Sequence, residues 1–149
     1  MAAMHVVLAA SADQEEWAAL RAALWPDADD RDIARMLKEP ARFAAFIARE
    51  TNGHAIGFAE ASLRHDYVNG CDTSPVGFLE GIYVAPPFRR LGVAASLIRA
   101  VEQWTIAQGA RELASDALID NVDSHRMHAA LGFLETERVV CFRKCFGKV

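Results

Sequence analysis

The residues best suited to chemistry lie in the run Ile82-Tyr83-Val84-Ala85-Pro86-Pro87-Phe88-Arg89-Arg90-Leu91-Gly92-Val93-Ala94. A short apolar strand ends, two prolines interrupt it, and a helix opens at Gly92. The first turn of a helix carries unpaired N–H groups and the positive end of the helix dipole, so it can hold a phosphate or pyrophosphate. Gly92 lets the backbone approach a ligand closely, Ala94 keeps the first turn small, and Arg89 and Arg90 add positive charge. The same residues also fit an ordinary strand-to-helix loop with surface arginines, because short glycine motifs recur by chance. One carboxylate stands out beside this loop. Glu80 is embedded in Phe78-Leu79-Glu80-Gly81-Ile82, and an acid inside an apolar strand normally has a reason to be there. His125 and His128, three apart, would suit metal ligation with Asp116 or Asp120, but no third ligand has convincing spacing, so no metal is expected.

The elements that must position these groups are legible from periodicity and turn residues. His5 to Ala10 reads as a first strand, and Ser11 or Asp13 can cap the next helix, whose apolar face is Trp17, Leu20, Leu24 and the interleaved alanines. Pro26 stops it. Asp29 to Lys38 reads as a short second helix with Ile33, Met36 and Leu37 inward. Phe43–Glu50 and His54–Leu63 flank Asn52-Gly53, a strong hairpin signal. The polar stretch from His65 to Gly77 is too long for a tight turn, and loops of that size are often functional. Phe78–Val84 is a strand, Gly92–Gln108 a helix striped by Val93, Leu97, Val101 and Trp104, and Gly109 its stop. Leu113–Ser115 is a short strand, Ser124–Leu131 a helix that Asn121 can cap, and Phe133–Lys144 a last long strand. The order β-α-α-β-β-β-α-β-α-β is α/β with a mixed central sheet flanked by helices.

Composition narrows the function classes. The 149 residues carry 16 basic and 20 acidic side chains, net −4, and 52% are hydrophobic. That is enough chain to bury a core as one domain, residues 1–149, without metal or disulfide staples. Residues 1–75 carry −5 and residues 76–149 carry +1. The lack of basic excess argues against a general nucleic-acid binder. No apolar run is long enough to span a membrane. The start, Met1 to Ala12, contains Ala-Ser-Ala but lacks a basic leader, so a first strand is the better reading than a signal peptide. Cys71, Cys141 and Cys145 form no CxxC pair. Four residues apart on one strand, Cys141 and Cys145 would be roughly 13 Å from each other, too far to bridge. Free thiols imply a reducing, cytoplasmic setting.

Two stretches together resemble a known family. Arg89-x-x-Gly92-x-Ala94 after Tyr83-Val84-Ala85-Pro86 resembles the acetyl-CoA pyrophosphate loop of the GNAT superfamily of N-acetyltransferases. Asn121-x-x-Ser124-x-x-Met127-His128-x-x-x-Gly132-Phe133 resembles its second cofactor motif. Within the superfamily the likeness is greatest to aminoglycoside 6'-N-acetyltransferases, through Leu24-Trp25-Pro26, Arg64 to Asp72, Phe78 to Ile82, Ala114-Ser115-Asp116 and Gly132 to Arg138. The resemblance covers nearly the whole chain.

It implies a single-domain GNAT fold in which the fourth and fifth strands splay apart to form the acetyl-CoA cleft. Acetyl-CoA would be held by Ile82, Tyr83 and Val84 along the strand edge, by Arg89, Arg90, Leu91, Gly92, Val93 and Ala94 at the loop, and by Asn121. A backbone N–H of Tyr83 or Val84 would polarise the thioester carbonyl. The acceptor would meet Trp25, Tyr67, Glu80, Asp116 and Glu137, which suits an aminoglycoside bearing several ammonium groups. Glu135 and Glu137 share a face of the expected last strand, so either can face the cleft. Asp116 or Glu80 would take the amine's proton, and His128, where the superfamily often has tyrosine, would return one to the CoA thiolate; a packed histidine is the other reading. The resemblance also implies a homodimer, with Val139-Val140-Cys141-Phe142 available to pair. Other cationic amines, such as a polyamine, a small metabolite or a protein N-terminus, suit an acidic cleft equally. A non-catalytic acyl-CoA-binding protein is disfavoured by the intact Glu80, Asp116, Glu137 and Tyr67.

Overall fold

Asn52-Gly53 reverses the chain as its residue types demand, with Gly53 at φ +90° and its N–H donating to the Glu50 carbonyl at 2.8 Å. The turn joins β2 (Phe43–Glu50) to β3 (Ala55–Arg64). The computed structural model describes residues 4–148, which cluster as two units divided between Asp116 and Ala117. In the first unit, β1 (Met4–Leu8), β2, β3, β4 (Val76–Val84) and β5 (Leu113–Ser115) form one sheet in chain order. The first three pairings are antiparallel, and β4 with β5 is parallel. The expected mixed sheet is present.

Helices cover both faces. On one side, α1 (Gln14–Leu24) and α2 (Arg31–Lys38) enclose a core of Trp17, Ile33, Ala45, Ile47 and Phe58. On the other, α3 (Val93–Ala107) buries Val93, Leu97, Ile98, Val101 and Thr105, the stripe its 3.6-residue period requires. β3 is buried along all but its last residue, as a strand covered on both faces must be.

One irregularity redirects the side chains of β4. Glu60 pairs with Gly81 but Ala61 pairs with Leu79, so β4 has one residue, Glu80, more than its neighbour. This is a β-bulge, which locally reorients side chains. Before it, the Gly77 Cα faces Thr105 of α3; after it, Gly81 faces Trp25 on the α1 side. Glu80 also reaches partners on the α1 side, so two successive residues of β4 address one face.

In the second unit, α4 (Val122–Ala130) is capped by Asn121, whose Oδ1 accepts from the Ser124 N–H at 3.2 Å. The expected final strand is not formed. Residues 133–146 have no regular structure and pair with no strand among the described residues. The inference that Glu135 and Glu137 share a strand face falls with it, as does the strand spacing between Cys141 and Cys145. All three cysteines are free thiols.

Gly81 has no room for a side chain, since a Cβ there would overlap the Trp25 indole. Gly81→Ala should destabilise the protein by about 1–3 kcal/mol through overpacking, read as a lower urea midpoint with an unchanged m-value.

Candidate active site

The first unit contains a cleft of about 1110 Å3 on the α1–α2 face of the sheet, and Trp25, Tyr67 and Glu80 all line it. Three of the five expected acceptor residues are thereby brought together. Tyr67 is 79% exposed, on the loop after β3, with its ring open to an incoming molecule. Trp25 is half-buried: its indole meets Phe58 edge-on at 5.9 Å between ring centroids and rests on Gly81. Asp116 does not line the cleft wall; it directly follows Ser115, whose pairing with Leu79 is the last of the β4–β5 ladder.

Glu80 does not stand alone. Its Oε1 accepts from the Ser62 hydroxyl at 2.6 Å and from Arg64 Nη2 at 2.9 Å. The Arg64 guanidinium lies 3.5 Å from the centroid of the Phe78 ring, which holds it flat against β4. Ser62 was not singled out in the sequence, and Arg64 only as the start of the resembling run Arg64 to Asp72. The signal that could have found them is the period of two in β3, which puts Glu60, Ser62 and Arg64 on one face. Glu60 is the buried acid of that row, at 3% exposure, and Arg21 of α1 lies over it at 5%. Arg21 Nε donates to Glu60 Oε2 at 2.6 Å, and the Trp17 indole N–H donates to the same oxygen at 2.8 Å. Burial pushes the Glu60 carboxyl above its ordinary value, while the bonds from Arg21 and Trp17 pull it back.

The polar loop between β3 and β4 is fastened by another acid that the sequence did not flag. Glu112 Oε1 accepts from the N–H groups of Asp72 at 3.0 Å and Thr73 at 2.8 Å, and from the Thr73 hydroxyl. The hydroxyl bond leads in holding the Glu112 carboxyl below its ordinary value.

At the other end of β4 the sheet splays. β5 accompanies β4 only over Gly77–Leu79, and from Glu80 to Val84 that edge has no strand beside it among the described residues. Unpaired strand edges present N–H and C=O groups to an extended ligand. The loop beyond holds two consecutive features of an anion cradle. Arg90 is at φ +63° and Gly92, the N-cap of α3, is at φ +84°. Left-handed backbone beside a helix start gathers N–H groups into a concave nest. The first bond inside α3 runs from Ser96 N–H to Gly92 O, so the amides of Val93, Ala94 and Ala95 have no partner within the helix. Arg89 turns back: its Nε donates to the Val84 carbonyl at 2.8 Å, bracing the loop against the strand. Arg90 is exposed.

Residues 9–133 match the acetyltransferase (GNAT) family. The chain belongs to that family. An aminoglycoside N(6')-acetyltransferase type 1 of Serratia marcescens is 53% identical over 136 residues, covering 89% of this chain and 93% of the relative. The enzyme of the same name from Acinetobacter baumannii is 46% identical over 146 residues, covering 97% and 100%. Among solved structures, AAC(6')-Iy in complex with the bisubstrate analogue CoA-S-monomethyl-acetylneamine superposes with a TM-score of 0.91 at 49% identity, covering 97% of this chain and 99% of that one.

The remaining expected residues of this GNAT chain lie in its second unit. Asn121 serves as the α4 N-cap, the structural role its position allows. The His128 Nδ1 donates to the Ser124 carbonyl at 2.7 Å, and its ring meets Phe133 edge-on, which fixes its orientation. Glu137 is exposed, and its neighbour Glu135 pairs with Arg138 at 2.5 Å. Among the described residues no cluster of three or more His, Cys, Asp or Glu is disposed to hold a metal ion. Among them, too, no helix is long and apolar enough to cross a membrane.

Glu112 yields a pH-dependent expectation. Its pKa is lower folded than the ordinary 4.5, so its fastening is fully present above that value and is lost as pH falls through the lowered one. Protection factors of the Asp72 and Thr73 amides should therefore stay level from pH 7 to about 4.5 and fall below it, whereas Glu112→Ala should abolish them throughout.

Proposed function

We propose that this chain is an acetyl-CoA-dependent aminoglycoside 6'-N-acetyltransferase, with residues 1–149 acting as one catalytic domain. The observation that carries this reading is the cleft holding Trp25, Tyr67 and Glu80 beside an open β4 edge that leads into the Gly92 cradle. The similarity to 6'-acetylating enzymes over nearly the full chain supports the same acceptor.

Acetyl-CoA supplies an activated acetyl group, and this chain has groups suited to hold it. The Val93 and Ala94 amides, under the left-handed Gly92, suit a pyrophosphate, and the edge at Ile82, Tyr83 and Val84 suits the two amides of pantetheine. Leu91 and Arg90 complete the loop, and Asn121 is assigned to the pantetheine by the resemblance. A backbone N–H of Tyr83 or Val84 is the proposed donor to the developing oxyanion. In the cleft, Trp25 and Tyr67 stack on sugar rings while Glu80 holds a ring ammonium group; Asp116 as a second ammonium contact rests on the resemblance. Both protein bonds to Glu80 fall on Oε1, so Oε2 is the oxygen assigned to the acceptor. Asp116 or Glu80 takes the amine's proton, the neutral amine attacks the acetyl carbon, and the thiolate leaves. His128 as its proton donor and Glu137 as a further acceptor contact rest on the resemblance alone.

Transfer is direct, without an acetyl-cysteine. The only cysteine on the acceptor loop, Cys71, has its thiol pushed up by burial and then by Glu112, which leaves little thiolate to act. We further propose a cytoplasmic homodimer. Val140, Phe142 and Phe146 are 77%, 91% and 86% exposed, a run of apolar surface that a second subunit would cover.

Thiol release from acetyl-CoA against kanamycin, tobramycin, spermidine and an N-terminal peptide tests the reading. Turnover confined to aminoglycosides with a 6'-amine is expected. Preference for spermidine or the peptide would transfer the activity to another amine, and no turnover with any acceptor would leave an acyl-CoA-binding protein. Asp116→Ala should lower kcat by about 100-fold or more, the usual worth of a general base, while acetyl-CoA binding stays near wild type. Gly92→Ala meets no steric obstacle but strains the backbone by about 1–2 kcal/mol, and it should raise the KM for acetyl-CoA with the acceptor KM unchanged.

A further inference from the structure

The buried Arg21–Glu60 pair has a geometry that core stability does not explain. Two apolar side chains of similar volume would fill the same space at equal or lower free energy, since a buried ion pair seldom offsets its own desolvation. The arginine, however, does four things at once. Its Nε and Nη2 address the Glu60 carboxylate at 2.6 and 3.4 Å. Its Nη1 donates to the Asp29 carbonyl at 3.2 Å, in the segment joining α1 to α2. Nη2 stands 3.6 Å from the Asp32 carboxylate in the first turn of α2. The guanidinium also lies 5.2 Å from the centroid of the Trp25 ring. Glu60, held in turn by the Trp17 indole, fixes the guanidinium to β3. Trp17, Arg21 and Trp25 are spaced four apart, so they lie along one stripe that continues past the end of α1.

We propose that Arg21 is a positioning residue for the acetyl acceptor. Anchored by Glu60, it holds the Trp25 ring and the Asp29 carbonyl in place, and with them the α1–α2 side of the cleft. Its effect falls on acceptor binding and not on acetyl-CoA or on the chemical step. The proposal rests on the acetyltransferase reading for what the cleft binds, but the positioning of Trp25 is a property of the protein alone.

The experiment compares wild type, Arg21→Met, Arg21→Lys and the double variant Arg21→Met with Glu60→Leu. Arg21→Met strands a buried carboxylate and should lower Tm by about 10 °C. The double variant removes both charges and should regain most of that loss. It should still show an acceptor KM raised about tenfold, with kcat and the acetyl-CoA KM within about twofold of wild type, the pattern of lost uniform binding. Arg21→Lys answers the Glu60 charge but lacks the planar fork, so it should recover Tm more than acceptor KM. In protein labelled with 5-fluorotryptophan, the 19F resonance assigned by Trp25→Phe should shift and broaden in the double variant. A double variant with wild-type Tm, acceptor KM and Trp25 resonance would overturn the proposal and leave the pair a structural one. If the double variant does not fold, Arg21→Lys decides, and an unmoved Trp25 resonance there overturns it. Wild-type protein that acetylates no amine would refute the functional reading, yet the Trp25 resonance would still decide whether Arg21 positions the ring.

Discussion

A strand that gains one residue on its neighbour must either flip every later side chain to the other face or bulge, and β4 bulges at Glu80. The rest of the cleft depends on that single extra residue. It lets Phe78 and Glu80 address the α1 side together with Gly81 and Tyr83, where strict alternation would have sent the second pair against α3. It therefore places an acid, a flat backbone patch for Trp25 and the start of the open edge within three successive residues. The short β5 reinforces this, because its pairing ends at Leu79, one residue before the bulge. The sheet splits where its register changes, which is also where open α/β sheets bind their ligands.

The helix layer answers the bulge with a matching absence of volume. Gly81 carries no side chain, so the Trp25 ring lies directly on the strand, and Phe58 receives the ring edge. Trp17, four residues before Arg21 on the same stripe, sits at 1% exposure in the core. One helical face thus grades from full burial at Trp17, through an ion pair, to a half-open aromatic wall. The buried arginine is the transition between core and cleft: its charge requires Glu60 beneath it, and its remaining donors reach outward to the segment that forms the rim.

Much of this was legible in the residues. Asn52-Gly53 marked the hairpin, Gly92 the helix start, and the stripe of Val93, Leu97 and Val101 the buried face of α3, because each depends on local dihedral preference or on a single period. Glu80 was visible because an acid inside an apolar run violates its surroundings. What stayed hidden is what two elements decide jointly. The Glu60–Arg21 pair reads in sequence as an acid among alanines in a strand and a basic residue on a helix. The bulge is a mismatch between two strands, and neither shows it alone. Glu112 gave no local sign because its partners, Asp72 and Thr73, lie some forty residues earlier in the chain. The segment from Phe133 onward has the β-branched and aromatic content of a strand, but composition cannot supply the neighbour that a strand must pair with.

The contact between Arg64 and Glu80 changes the character of the cleft. Its acids are not a bare anionic surface waiting for a cation, since a guanidinium already stands at Glu80 and another at Glu60. On the proposed function, a cation arriving at Glu80 would perform an ion exchange, gaining the carboxylate only to the extent that it outcompetes a tethered arginine braced on Phe78. A lone ammonium gains little from such a swap. A molecule carrying several charges at fixed spacing gains more, because acids such as Asp27 and Asp66 at the same cleft add attraction that Arg64 does not already satisfy. On that proposed function the resident arginine is a threshold, converting an acidic pocket from a general cation trap into a counter of charges.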